Sequence, residues 1–543
     1  MRRDLVLIAL AACGGGRDEP PPAAVAPVRG AVVADTTIAA RDYIGPAACG
    51  ECHPDEHARW STSLHAVMNQ RVEPGLVARA VPRAVIGNFD GVVLAYQGGE
   101  VRFDRGPELR APMMTLTRGE LTVRYRVTRT IGTRGLQEYV GIEEGGLGDE
   151  VRLPFGWWPR LGAWVPQPYF DPWLTETSFD AYAPVREPWA ERCPWCHSTY
   201  PFDQRIARAS GSPGLGHGLE QGFESTPGSE RLAVDRQVTV GISCESCHLG
   251  GRAHAAGAAI HFVPIGATPR AGAPEVATFA TEARDPAIVN AVCAQCHSGP
   301  SPRLPDGAAT RNSSEALDLA ASPCTTARCI DCHDPHRADA RPSPVLDARA
   351  IAACTGCHTA LAEPAAARSH AGHDRVSCLD CHMPRSVMGI DRYVRTHRIS
   401  SPTDRTMLAA AAPNACNLCH LDRSIRWTLD ELRASYEVRL DPRGWQAYGD
   451  LDGAVGDVWL ASKQPAIRLV AAAAYAGSPL GHAALPALLR LLDDPLPYVR
   501  AWGLFAVEDL LARKLSEVEY DPRVPGELRR TQLAKLRLRL RLR

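Results

Sequence analysis

Eight times in 543 residues the chain reads Cys-x-x-Cys-His: Cys49/Cys52/His53, Cys193/Cys196/His197, Cys244/Cys247/His248, Cys293/Cys296/His297, Cys329/Cys332/His333, Cys354/Cys357/His358, Cys378/Cys381/His382 and Cys416/Cys419/His420. These strings use sixteen of its eighteen cysteines. With 18 Cys and 18 His, chance would place roughly 0.02 such strings in the whole chain. The spacing suits a c-type haem: two thiols add across the vinyl groups of one porphyrin, and the adjacent His is held against the iron as an axial ligand. The alternatives ask for other patterns. A thioredoxin-like pair uses Cys-x-x-Cys once and needs no His after it. A zinc ribbon pairs two such knuckles without demanding His at the next position each time. Disulfides are unsuited to cysteines three apart, so these cysteines point to haem maturation outside the cytoplasm. The expected cofactor is haem c, eight per chain, covalently attached.

Ten histidines remain for the opposite faces of the irons: His57, His65, His217, His254, His261, His336, His370, His373, His397 and His482. His482 falls in a C-terminal helical stretch without motifs and reads as a surface residue. His57 follows His53 by four residues on one helical face, so it cannot reach the far side of its own haem, though it can serve another. His65, His254, His336 and His397 have the best claims as sixth ligands. His370 and His373, three apart, suit two haems flanking one turn. If two of these nine candidates are not ligands, one iron is left open or is met by a methionine such as Met68 or Met383. Bis-His haems pass electrons, whereas an open iron binds a small molecule. The count leaves both possibilities standing, and catalytic residues are unassigned.

Lysine is confined to Lys463, Lys514 and Lys535, which leaves 57 Arg among the 60 basic residues. Active sites that place a lysine on the catalytic iron, as in some multihaem nitrite reductases and octahaem tetrathionate reductases, are therefore disfavoured. The formal net charge of −1 excludes a nucleic-acid binder held by bulk basic charge. Eight haems would add sixteen propionates, for which planar arginines are suited partners.

The elements that must position these groups are legible in outline. Residues 1–13 have a charged start, an apolar run from Leu5 to Ala12, and Leu10-Ala11-Ala12-Cys13, which resembles a lipoprotein signal with the anchor on Cys13. Residues 14–42 read as a Gly/Pro/Ala-rich linker, 43–72 as the first haem segment, 73–180 as a β-rich insert, 181–425 as a seven-haem domain and 426–543 as a helical C-terminal region. In the insert, Leu121 to Val127 alternates apolar with polar, the pattern of a half-buried strand. The expected class is α+β: a mostly α and loop haem core, a β-rich insert and C-terminal helices. Cys324, the cysteine left over beyond Cys13, is expected to be structural.

From Tyr43 to about Trp427 the chain resembles a multihaem cytochrome c family related to the tetrahaem cytochrome c of ammonia oxidisers. The carrying residues include Trp60-x-x-Ser-x-His65, Cys193-Pro-Trp-Cys-His-Ser-Thr199, Cys329-Ile-Asp-Cys-His-Asp-Pro-His336, Cys378-Leu-Asp-Cys-His-Met-Pro384 and Pro413-Asn-Ala-Cys-Asn-Leu-Cys-His420. The resemblance implies bis-His haems in stacked and perpendicular pairs, and an exported location. Asp494-Pro-Leu-Pro-Tyr-Val-Arg500 resembles the turn of a HEAT repeat. The functional expectation is an octahaem electron carrier of the cell envelope, in the periplasm or outer membrane. It would exchange electrons with redox partner proteins, bind no nucleic acid, and touch the membrane only through a lipid on Cys13. The alternative is a multihaem oxidoreductase acting on a small nitrogen or sulfur oxo-compound at one five-coordinate haem.

Overall fold

A computed structural model describes residues 36–72, 85–106, 111–184, 188–203, 237–265, 282–337, 343–438 and 447–542. The N-terminal signal with Cys13, and His217, lie outside these residues. The fold is mixed helix and sheet.

The chain starts with α1 (Pro46–Cys52), α2 (Pro54–Ser61) and α3 (Leu64–Val67), which carry the first motif and His65. Proline opens α1 and α2, where its missing N–H would have been unpaired anyway. The Ser63 hydroxyl caps α3 by accepting from the Ala66 amide.

A seven-stranded antiparallel sheet follows, in the order β2–β3–β4–β5–β6–β7 with β1 beside β5. Its strands are β1 (Asn69–Arg71), β2 (Val92–Tyr96), β3 (Gly99–Arg105), β4 (Pro112–Arg118), β5 (Leu121–Ile131), β6 (Glu138–Glu143) and β7 (Glu150–Arg152). The register sets Phe103 opposite Met114 and Met114 opposite Tyr125, so one face carries the apolar side chains. Phe89, Tyr139 and Trp164 close that core, with the Phe103 and Trp164 rings stacked at 3.9 Å. Because β1 belongs to the first haem segment and pairs with β5, that segment and the insert share one sheet. The hairpin of β8 (Phe155–Trp158) and β9 (Ala163–Pro166) leads out of it.

Short helices then carry or flank the remaining motifs, the third of which begins on a 3-10 turn (Cys244–Ser246): α4 (Trp189–Arg192), α5 (Pro194–His197), α6 (Gly251–Ala255), α7 (Pro286–Ala294), α8 (Glu315–Ala320), α9 (Cys329–Cys332), α10 (Pro344–Cys357), α11 (Pro364–Ala371) and α12 (Cys378–His382). The hairpin of β10 (Arg385–Met388) and β11 (Tyr393–Arg395), α13 (Arg405–Ala409) and α14 (Ala415–Cys419) complete this region. In α9 and α12 the aspartate between the two cysteines turns back on its own helix. Asp331 accepts from the Arg328 amide and Asp380 from the Ser377 amide, so these motifs cap themselves.

The C-terminal helices are α15 (Ile425–Tyr436), α16 (Val455–Leu460), α17 (Pro465–Ala476), α18 (Gly481–Leu491), α19 (Pro497–Leu511) and α20 (Gly526–Arg539). Their core takes in Trp158, Tyr169 and Phe170 of the insert and Leu408 and Leu421 of the haem region. Trp158 meets Phe505 edge-on at 4.9 Å. Trp158, Trp164 and Trp189 are thus core residues, while Trp173 is exposed. Among the described residues no helix is long and apolar enough to cross a membrane.

One buried polar link joins helices to insert. Arg500, wholly buried, donates to the Asp494 carbonyl (2.8 Å) and to the Tyr169 hydroxyl (2.9 Å). That hydroxyl donates in turn to the Pro522 carbonyl at 2.7 Å. Tyr169→Phe removes the middle of this chain and is expected to destabilise the protein by about 1–2 kcal/mol. A shift in the denaturant midpoint checks it; a loss under a few tenths of a kcal/mol would mean the link is slack.

Candidate functional site

Each motif is built as one helical turn. The His amide donates to the carbonyl of the first cysteine in seven of them: His53 to Cys49 (2.9 Å), His197 to Cys193 (3.2 Å), His248 to Cys244 (2.8 Å), His297 to Cys293 (2.9 Å), His333 to Cys329 (2.9 Å), His358 to Cys354 (2.9 Å) and His420 to Cys416 (2.9 Å). In the remaining motif His382 is the last residue of α12, and the Met383 amide donates to the Leu379 carbonyl. Positions i, i+3 and i+4 share a helix face, so both thiols and the imidazole point to one side.

Six of these imidazoles face a second one. His53 lies 6.1 Å from His254, His248 6.2 Å from His336, and His333 6.0 Å from His397, measured between ring centres. His382 lies 6.2 Å from His370, His420 6.2 Å from His373, and His297 6.4 Å from His65. Four pairs are nearly parallel, between 4° and 22°, whereas His373–His420 and His65–His297 are inclined by 49° and 70°. Direct ring stacking would bring the centres closer. Two ligand nitrogens about 2 Å from one metal ion on opposite sides, each about 1.1 Å from its ring centre, separate the centres by roughly 6.2 Å. The spacing in the structure is that of imidazoles held apart by a metal, so these residues fit haem c.

The tautomers agree. The Nδ1 atom donates to the Ala258 carbonyl in His254 (2.9 Å), to the Ala371 carbonyl in His373 (2.7 Å) and to the Ser400 carbonyl in His382 (2.8 Å). That leaves Nε2 as the free lone pair, the arrangement a metal-binding imidazole needs. In His297 the Nδ1 partner is a carboxylate oxygen of Glu315, at 3.2 Å. Burial pushes His65, His197, His248 and His333 down to about 4, which favours the neutral, ligating form.

The motifs also abut one another. The neighbouring Cys244 thiol holds Cys49 well above the usual thiol range, and Cys329 does the same to Cys293. Trp195, inside the second motif, donates to the Gln295 carbonyl inside the fourth at 2.8 Å. A cavity of about 4050 Å³ runs through the region, lined by thiols or imidazoles of every motif from the second to the eighth. Single-ligand pockets measure about 300–1,000 Å³, so this space suits several porphyrins. The turn between β5 and β6, with Arg134 and Leu136, forms part of its wall, as do Met68, Met383 and Cys324.

Not every histidine joins in. His57 packs on Trp60 at 5.3 Å, His261 is buried against Glu282 at 3.0 Å, and His482 is exposed on α18. Among the described residues no second imidazole is paired with His197 or His358. Two further residues are shown only by the folded chain. Glu315 supports His297, and Glu245 binds the Ile44 (3.0 Å), Gly45 (2.8 Å) and Gly251 (2.8 Å) amides. Neither residue has a sequence signal for its role, although Glu245 sits between the cysteines of the third motif.

Residues 365–441 match the cytochrome c552 family, and residues 322–363 match a doubled CXXCH motif. Among solved structures the chain is similar to the outer cell wall cytochrome OcwA, at 16% identity over 92% of this chain and 100% of that one, with a TM-score of 0.37. It is also similar to the octahaem sulfite reductase MccA of Wolinella succinogenes, at 17% identity over 66% of this chain and 57% of that one, with a TM-score of 0.29. No curated protein matches the chain.

Proposed function

We propose, taking as premise that the chain is a multihaem c-type cytochrome, that it relays electrons along eight covalently held haems in the cell envelope. The observation that carries this is the set of six facing imidazole pairs, strung along motifs that touch. Haem supplies reversible one-electron chemistry when bound.

The chain's own residues do the rest. Each motif would seat one group, and at six of the eight a histidine from elsewhere in the chain faces the motif's own and would hold the group from the other side. His254, six residues after His248, faces His53; His336, three after His333, faces His248. His397, fifteen after His382, faces His333. His370 and His373, on and just beyond α11, face His382 and His420. Each clamp therefore ties two sites together and keeps neighbouring sites near enough for transfer.

Export, a lipid on Cys13 and redox partner proteins in the envelope belong to this reading. Intact mass of the mature N-terminus tests the lipid.

The central test is a reductive titration of the full-length protein. Eight electrons per chain, and eight haems by pyridine haemochrome, are expected. Fewer haems, or haems that do not exchange electrons with one another, would sink the relay. A second reading, an oxidoreductase working on a small nitrogen or sulfur oxo-compound, is favoured by one observation: His197 and His358 face no second imidazole among the described residues.

A further inference from the structure

We infer that Tyr436 is a positioning residue for the eighth haem site: its hydroxyl fixes the turn from which His373 faces His420. The inference rests on the haems being seated as proposed above.

The turn has little of its own to hold it. No residue of α11 is buried. Beyond Ala371 the chain passes through Gly372 at φ +64°, a left-handed conformation that glycine adopts without steric cost, and His373 follows directly. The orientation of the His373 ring rests on one bond, donated from its Nδ1 to the Ala371 carbonyl at 2.7 Å. Tyr436 reaches that same carbonyl. Its hydroxyl donates across two oxygens, 3.2 Å from that of Ala371 and 3.3 Å from that of His370. Among the described residues no other side chain from outside 364–373 bonds to this segment.

Tyr436 is itself well anchored. It ends α15, whose Thr428, Leu429 and Leu432 are buried. The eighth motif grips the start of that helix: Asn417, between its cysteines, donates to the Thr428 hydroxyl at 2.7 Å, with both side chains buried. On the same helix Trp427 lies 4.9 Å from the His420 ring, centre to centre. One helix thus touches both flanks of the site, Trp427 beside His420 and Tyr436 behind His373, about 13 Å apart along its axis. The two imidazoles of this site are inclined by 49° where four other pairs are nearly parallel. A carbonyl steadied by the tyrosine holds the Nδ1 proton, and with it the ring, at that inclination.

The test is Tyr436→Phe in the full-length holoprotein, which deletes the hydroxyl and keeps the half-exposed ring. Low-spin ferric resonances respond to the angle between the two axial imidazoles, so one haem signal in eight should shift or broaden in the electron paramagnetic resonance spectrum. A loosened carbonyl also leaves the imidazole a poorer donor. The redox equilibrium of that site should move about threefold toward the reduced form, which is about 28 mV at 59 mV per tenfold. Tyr448→Phe is the control: that buried hydroxyl lies in the same helical region, bonds to nothing among the described residues, and should change neither readout. Eight haems with unchanged resonances and potentials in Tyr436→Phe overturn the inference and leave the relay standing, even if the denaturant midpoint falls. An equal response to Tyr448→Phe overturns it too. Should Tyr436→Phe fail to load eight haems, Tyr436→Gln, which keeps a donor, carries the test: a smaller shift of the same signal is expected, and none overturns the inference. Bare thiols in the unaltered protein would end both readings together.

Discussion

Glu245→Ala is expected to destabilise the folded protein by about 3–5 kcal/mol, because it leaves buried backbone donors without an acceptor. Glu245 is 1% exposed, and its two carboxylate oxygens take the amides of Ile44, Gly45 and Gly251. Hydrogen bonds from backbone amides to a carboxylate are each stronger than a neutral pair. The clamp joins the strand of chain entering the first motif to the helix carrying His254, and His254 faces His53. Loss of the carboxylate should therefore disturb the first site as well as stability. The Glu245→Gln variant, which keeps one acceptor oxygen, should fall between. Denaturant midpoints of the holoprotein measure the effect. A cost under about 1 kcal/mol would mean that water replaces the carboxylate and no clamp exists.

Glu315→Gln should raise the reduction potential of the site at His297, one of eight, by about 40–80 mV. The Glu315 carboxylate accepts from His297 Nδ1 at 3.2 Å, while its other oxygen accepts from the Ser313 amide at 2.8 Å and holds it in place. A negative charge behind an axial imidazole makes that ligand a better donor and favours the more positive, oxidised state of the metal. A charged hydrogen bond exceeds a neutral one by about 1–2 kcal/mol, and one-electron couples shift by 59 mV per tenfold. Glu315→Asp, which retains the charge, should recover part of the shift. Spectroelectrochemical titration reads this directly. A merely structural role for Glu315 would lower stability and leave all eight potentials where they were.

The two glutamates also mark where reading from sequence stopped. Glu245 lies inside a motif, and nothing about Cys-Glu-Ser-Cys says that its middle carboxylate is aimed at residues two hundred positions earlier. Glu315 lies in a six-residue helix, α8, with no distinguishing neighbours. The strand over Leu121 to Val127 was legible because its alternation of apolar and polar residues is local. That β1 joins this sheet from the first haem segment was not, because pairing across the β5 register is a long-range event.

The same division holds at the site. Attachment of the groups follows from sequence alone, since both thiols and the first imidazole lie within one helical turn and need no other part of the chain. The stretch also named His65, His254, His336, His370, His373 and His397 as the histidines to watch. Only the folded chain decided which motif each one faces. His65 meets His297, and His336 meets the third motif's His248 in preference to its own neighbour His333. A ring reaches the far face of a porphyrin plane only from a different segment, so its partner is set by packing, which spacing along the chain does not encode.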